Sequence, residues 1–303
     1  MDIYLPIAEL PVNAIYIIML GITAGFLAGM FGIGGGFLVT PFLIFLGISP
    51  AVAVATTANQ IIASSVSGFM VHHRAKNVDI KMGLYMLGGG IIGSIAGTRL
   101  TALLQNIGQA DLVIPLLYII FLGGIGTLMG YEAFISILYR NSGRPPRPKK
   151  ERKWQENLPW KIDFPRSDMT VSSILPIGIG LLSGVMVSLM GIGGGFLLIP
   201  AMIYLIKMPS SLVVGTSLFQ MFAITAVTTF FHAYYSQTVD VVLASLLLGG
   251  SIIGAQYGVK ASFKIPAENM RGLLAVMILG VAIAMGLTLF VKPSELYSVL
   301  RTY

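Results

Sequence analysis

Thr56 and Gln60 stand four residues apart in an apolar stretch, and Thr216 and Gln220 repeat that spacing in the second half of the chain. On a helix this puts each hydroxyl and amide on one face. Donors on one face can replace the hydration of a small anion without a fixed countercharge. Thr57, Asn59 and Ser217 extend the set. A second kind of chemistry lies in two glycine runs, Gly32-Ile33-Gly34-Gly35-Gly36 ending at Pro41 and Gly191-Ile192-Gly193-Gly194-Gly195 ending at Pro200. Glycine and proline both oppose an unbroken helix. A helix that starts at such a break offers free N–H groups and its positive dipole end, which is a ready anion site. The candidate binding set is Gly34, Gly35, Gly36, Thr56, Thr57, Asn59 and Gln60 with Gly193, Gly194, Gly195, Thr216, Ser217 and Gln220. Each member has an ordinary alternative: glycines let helices pack closely, and Ser or Thr bond back to their own helix or join neighbours.

Four cations or proton carriers complete the candidates. Arg99 and Lys260 close matched segments, either as interface anchors or as charges collecting anions at each mouth of a path. His72 and His232 do the same one segment earlier, as helix-end residues or as gating and proton-coupling groups. Asp79 and Asp240 read as helix caps. Enzyme chemistry finds no footing, since there is no H-E-x-x-H and no paired carboxylate at helical spacing. No cysteine is present, and three histidines with no flanking carboxylates make a poor metal site. No cofactor is expected.

The elements that must position these residues follow from composition. Of 303 residues, 55% are hydrophobic and only 10% charged, with a mean hydropathy of +0.86. That is too little charge for a water-soluble shell. Apolar runs near 12–31, 35–47, 51–71, 82–103 and 111–139 are followed by a basic stretch and then by runs near 171–190, 194–206, 211–231, 241–261 and 271–291. The expected class is an all-α polytopic membrane protein. The second run of each half is short for a crossing, so the first two should form a hairpin of short or broken helices.

The two halves repeat each other. Gly32–Pro41 matches Gly191–Pro200 at an offset of 159, the Thr56–Gln60 stretch matches at 160, and Val78-Asp79 matches Val239-Asp240 at 161. We therefore expect repeats at 1–139 and 171–303, joined by a basic linker at 140–170. With an odd number of crossings per half the repeats are inverted, and the substrate would lie at their interface. The linker holds nine of the nineteen Lys and Arg residues and is expected in the cytoplasm, which also accounts for the net charge of +7 without nucleic acid. Full crossing places sixteen basic residues inside and only Arg99, Lys292 and Arg301 outside.

The paired G-x-G-G-G-F-L-x-x-P stretches, the Thr-Ser-type element after each, and the G-x-x-x-G-x-x-x-G series at Gly89–Gly97 and Gly250–Gly258 resemble the sulfite exporter TauE/SafE family. The resemblance implies a multi-pass transporter in the plasma membrane of a prokaryote, commonly an exporter, for sulfite, organosulfonates or related anions. The first half departs from the usual Gly-Thr-Ser with Ala55-Thr56-Thr57. Expected partners are the small anion and the lipid bilayer, with a homodimer left open. An anion channel and a membrane-embedded enzyme are the alternative readings.

Overall fold

The computed structural model of the chain describes residues 2–141, 159–265 and 267–290. Much of the basic linker and the chain after 290 lie outside them. The described residues form α1 (Ala14–Phe31), α2 (Gly36–Phe45), α3 (Pro50–Arg74), α4 (Ile80–Asn106) and α5 (Ala110–Asn141), then α6 (Ile174–Met190), α7 (Gly195–Pro200), α8 (Ser210–Phe231), α9 (Val241–Ser262) and α10 (Ala267–Phe290). Helices α7 and α8 run on into π-helical turns, Ala201–Ile206 and His232–Ser236. Proline at position 200 removes the donor that would hold α7 in regular register.

Five described helices, α1, α4, α5, α8 and α9, are long and apolar enough to cross a bilayer. Their outer faces expose Ile92, Leu116, Ile120, Leu128 and Ile253. Such a belt would aggregate in water and is at home in lipid. The chain is a multi-pass, mostly helical membrane protein.

Glycine stripes set the helix pairs. A Cβ placed on Gly21, Gly25 or Gly29 of α1 would meet the backbone of Leu247, Ser251 or Ala255 of α9. Numbers rise together, so α1 and α9 run parallel. Gly89, Gly93 and Gly97 of α4 meet Ile177, Leu181 and Val185 of α6 in the same sense. The pairing is unchanged when the halves are exchanged. Helices α3 and α8 instead run antiparallel: Thr56, near the start of α3, bonds Asp240 beyond α8, and Asp79 beyond α3 bonds Thr216 near the start of α8. Gly126 and Gly130 of α5 approach Leu279 and then Ala275 of α10, another antiparallel pair.

The second element of the first half doubles back. A Cβ on Gly35 would lie 2.4 Å from Ala24 O, and one on Gly47 would lie 3.7 Å from Leu10 Cδ1, ahead of α1. Gly194 meets Ser183 of α6 in the corresponding way.

Each half opens with a β-hairpin that the hydrophobic patterning does not announce. Strands β1 (Asp2–Leu5) and β2 (Leu10–Asn13) pair antiparallel, as do β3 (Lys161–Phe164) and β4 (Met169–Ser172). The second hairpin occupies the end of the stretch read as linker and precedes α6 as the first precedes α1. Its signal was Leu5-Pro6 with Glu9 against Phe164-Pro165 with Asp168 at the common offset of 159. Glu9 and Asp168 both take positive φ, 55° and 49°. Four-residue strands are too short for alternation to reveal.

Candidate functional site

Backbone conformation makes the two breaks. Helix α1 stops on Gly32 at φ 74° and α6 on Gly191 at φ 64°. The next helices start from Gly35 at 73° and Gly194 at 61°. A side chain in that left-handed region costs about 1–2 kcal/mol per residue, which is why glycine holds these positions. Among the described residues the amides of Gly34, Gly35 and Gly36 have no acceptor. They are the orphan donors of a helix start.

The two breaks touch. A Cβ built on Gly34 would lie 3.4 Å from Gly193 Cα, and one on Gly36 would lie 2.2 Å from Gly191 O. One on Gly195 would lie 2.7 Å from Gly32 O. Matched side chains of α3 and α8 close the contact: Met221 Cε and Ile61 Cγ2 would stand 2.2 and 2.9 Å from the Gly34 Cβ. In this conformation two apolar side chains, one from each half, stand at the meeting of the breaks. Ser217 Oγ donates to Gly32 O at 3.0 Å, Ser64 Oγ donates to Gly34 O at 3.3 Å, and the Thr57 methyl faces Gly36.

The matched glutamines of α3 and α8 differ in their bonding. Gln220 Nε2 donates to Ser183 Oγ at 2.9 Å, and Ser183 is the residue against which Gly194 packs. Gln60 is 0% exposed, yet neither its amide nitrogen nor its oxygen has a partner. Thr57 Oγ1 and the Asn59 amide nitrogen are also unpaired. Buried polar groups are nearly always bonded, so this cluster is an exception that asks for a ligand.

Thr56 and Thr216 are spent elsewhere. Thr216 Oγ1 accepts the Asp79 N–H at 2.9 Å, and Thr56 Oγ1 accepts the Asp240 N–H at 3.2 Å. Asp79 caps α4 through Met82 N and accepts from Ser167 Oγ. Asp240 caps α9 through Leu243 N and accepts from Ile7 N. Each hairpin is thereby tied to the fourth helix of the opposite half. Thr216→Val should therefore lower stability by about 1–3 kcal/mol, the cost of stranding a buried N–H. Thermal unfolding would register the drop while anion affinity stays unchanged; a loss of affinity at full stability would return Thr216 to the binding set.

The four remaining candidates do not converge on the breaks. Arg99 Nη2 donates to Tyr235 Oη at 3.1 Å and its guanidinium lies 4.6 Å over that ring. Lys260 sits 5.5 Å over Tyr257. Both are exposed; Lys260 lies in the last turn of α9, whereas Arg99 stands seven residues before the end of α4 and does not close it. His72 is buried against Phe263 with neither ring nitrogen bonded. His232 is buried with Nε2 at 3.1 Å from Ser188 O.

Around His232 lies a polar cluster that sequence reasoning missed. Ser94 and Thr228 hydroxyls share a 2.7 Å bond, and Ser188 Oγ donates to Ser94 O at 3.0 Å. Thr101 Oγ1 donates to Ser188 O. The signal in the sequence was a rhythm of four, Thr216, Gln220, Ile224, Thr228 and His232 against Thr56, Gln60, Ser64, Gly68 and His72. Which helices face those stripes was not in the rhythm. No trio of His, Cys, Asp or Glu able to hold a metal occurs among the described residues.

The arrangement offers hydrogen-bond donors and no carboxylate at the breaks, so it suits an acceptor-rich anion. A family model described as Sulfite exporter TauE/SafE matches residues 17–285. The chain is 30% identical over 272 residues to "Probable membrane transporter protein YjnA" of Bacillus subtilis (strain 168), covering 88% of this chain and 97% of that protein. It is 27% identical over 278 residues to "Probable membrane transporter protein MJ0441" of Methanocaldococcus jannaschii, covering 88% and 92%. A shorter match, 33% over 113 residues, joins 35% of this chain to 24% of "Sulfite exporter TauE/SafE family protein 3" of Arabidopsis thaliana. No solved structure matches the chain.

Proposed function

The chain belongs to the sulfite exporter TauE/SafE family, and from that membership we propose that it is a secondary transporter, working as an exporter, for small sulfur-containing oxyanions such as sulfite or organosulfonates. The family consists of membrane transporters and not enzymes, which leaves substrate and mechanism as the questions. The observation that carries the reading is the contact of the two glycine breaks between the halves, beside buried donors that have no acceptor.

The proposed mechanism is alternating access between inverted repeats. Its support is the exchange-symmetric pairing of α1 with α9 and α6 with α4, together with the antiparallel run of α3 and α8. A doubled-back α1–α2 pair returns the chain to its starting face, which supports the sixteen-to-three division of basic residues and with it a cytoplasmic linker in a plasma-membrane protein. Rocking of one half against the other would expose the breaks to each side in turn. The bound anion would be held by Gly34–Gly36 and Gly193–Gly195 amides with Thr57, Asn59, Gln60, Ser217 and Gln220. Ile61 and Met221 close the centre in this conformation, which favours a transporter over an open channel.

Purified protein in liposomes tests this. Labelled sulfite should accumulate transiently against unlabelled internal sulfite and saturate with concentration, and Gln60→Ala should lower that exchange about tenfold or more, as expected when a donor to an anion is lost. Linear, non-saturating flux would mean a channel. Absence of flux for sulfite, thiosulfate and methanesulfonate alike would remove the substrate class.

A further inference from the structure

The repeat is broken at one position that matters. At the offset of 159, Ser183 of α6 corresponds to Ala24 of α1, with Gly180 against Gly21 and Gly184 against Gly25 on either side. The two residues occupy equivalent places in the packing, since Gly194 sits on Ser183 and Gly35 sits on Ala24. Their chemistry differs by one hydroxyl. In the second half Ser183 Oγ accepts the Gln220 amide at 2.9 Å and passes its own proton to Gly180 O at 2.8 Å. In the first half Ala24 has nothing to offer, and Gln60 is left with both ends of its amide unpaired at 0% exposure.

We propose that the anion site is asymmetric and belongs to the first half, built from Gln60 Nε2, Thr57 Oγ1 and the free amides of Gly34–Gly36, while the equivalent position of the second half is closed by Ser183. The inference rests on the transport reading above and sharpens it. Thr57 adds an unpaired, fully buried hydroxyl whose methyl already faces Gly36. Gln60 supplies two N–H groups from one nitrogen and Thr57 one O–H. Several donors converging without a full positive charge suit a compact oxyanion, whose oxygens accept bonds from different directions. The buried carboxylates among the described residues, Asp79 and Asp240, are engaged at the helix caps of α4 and α9. Ser217 matches Thr57 in the other half but is already committed to Gly32 O and Val214 O. The Gln220 amide nitrogen and the Ser217 hydroxyl, both held in the second half, have loose counterparts in Gln60 and Thr57.

Transplanting the hydroxyl is the test. Purified full-length protein in detergent is titrated calorimetrically with sulfite and with methanesulfonate, as wild type and as Ala24→Ser, Ser183→Ala and Gln60→Ala. Ala24→Ser should bind about tenfold more weakly or worse, because its hydroxyl takes the Gln60 amide as Ser183 takes that of Gln220. The same variant should melt at or above the wild-type temperature without ligand, since a buried amide gains a partner; damage to the fold would lower it. Gln60→Ala should lose affinity, and Ser183→Ala should keep it within about twofold. Unchanged affinity in Ala24→Ser, or a loss in Ser183→Ala comparable to that of Gln60→Ala, overturns the asymmetric site and leaves the transport reading standing. If neither anion binds the wild type, the transport reading fails and the site with it.

Discussion

Gly180→Val should abolish accumulation of folded protein, while Gly178→Val, two residues earlier on the same helix, should pass almost unnoticed. A Cβ on Gly180 would lie 1.9 Å from Met86 O and 2.7 Å from the Met86 carbonyl carbon, whereas one on Gly178 meets nothing within 4 Å. The obstacle is backbone, so no rotamer change relieves it. The interface is tight along its whole length: a Cβ on Gly184 would lie 2.1 Å from Gly90 O, and one on Gly89 or Gly93 2.0 Å from a carbonyl of α6. Admitting a valine must move the two axes apart and dissolve those contacts together. Lipid gives helices no hydrophobic reason to stay paired, so close approach and its Cα–H···O contacts are the main source of adhesion. The expected loss exceeds about 3 kcal/mol for Gly180→Val, beyond ordinary overpacking, against about 0.5 kcal/mol for Gly178→Val. Size-exclusion profiles and melting temperatures in detergent decide it. Normal elution and melting of Gly180→Val would mean that α4 and α6 are not in backbone contact.

Replacing Ile61 and Met221 together by alanine should turn exchange into leak. These side chains occupy matched positions one residue after Gln60 and Gln220 and stand together at the contact of Gly34 with Gly193. Both are buried, at 0% and 1% exposure. Shortening them costs stability, about 2–5 kcal/mol each for buried large-to-alanine changes, so the melting temperature must fall. The informative readout is flux. A change of about 1.4 kcal/mol in the balance between closed and open centres is about tenfold in leak. Non-saturating sulfite efflux from liposomes should rise by at least that order, with counterflow lost. Intact counterflow without added leak would show that the seal lies elsewhere on the path.

Membrane residence and the two breaks were legible in the sequence because each depends on local chemistry. A 55% hydrophobic chain with 10% charge cannot be solvated, and the glycine runs at 32–36 and 191–195 do interrupt the helices, although Pro41 and Pro200 stand inside α2 and α7 rather than at the breaks. The site was only half legible. Gln60 and Gln220 look equivalent in sequence, as do Thr57 and Ser217, yet the Gln220 amide nitrogen and the Ser217 hydroxyl are bonded while those of Gln60 and Thr57 are not. Thr56 and Thr216, equally inviting as ligands, hold the caps of opposite helices.

What the sequence determined by itself was where the backbone must break and which faces must meet lipid, since propensity and transfer energy act residue by residue. Tertiary structure alone decided which buried donors keep their hydrogens free. That outcome turns on a hydroxyl present at Ser183 and missing at Ala24, each on a different helix from the glutamine it serves or fails to serve. Hydrogen bonds require atoms about 3 Å apart, and only the rotation and depth of packed helices bring such atoms together.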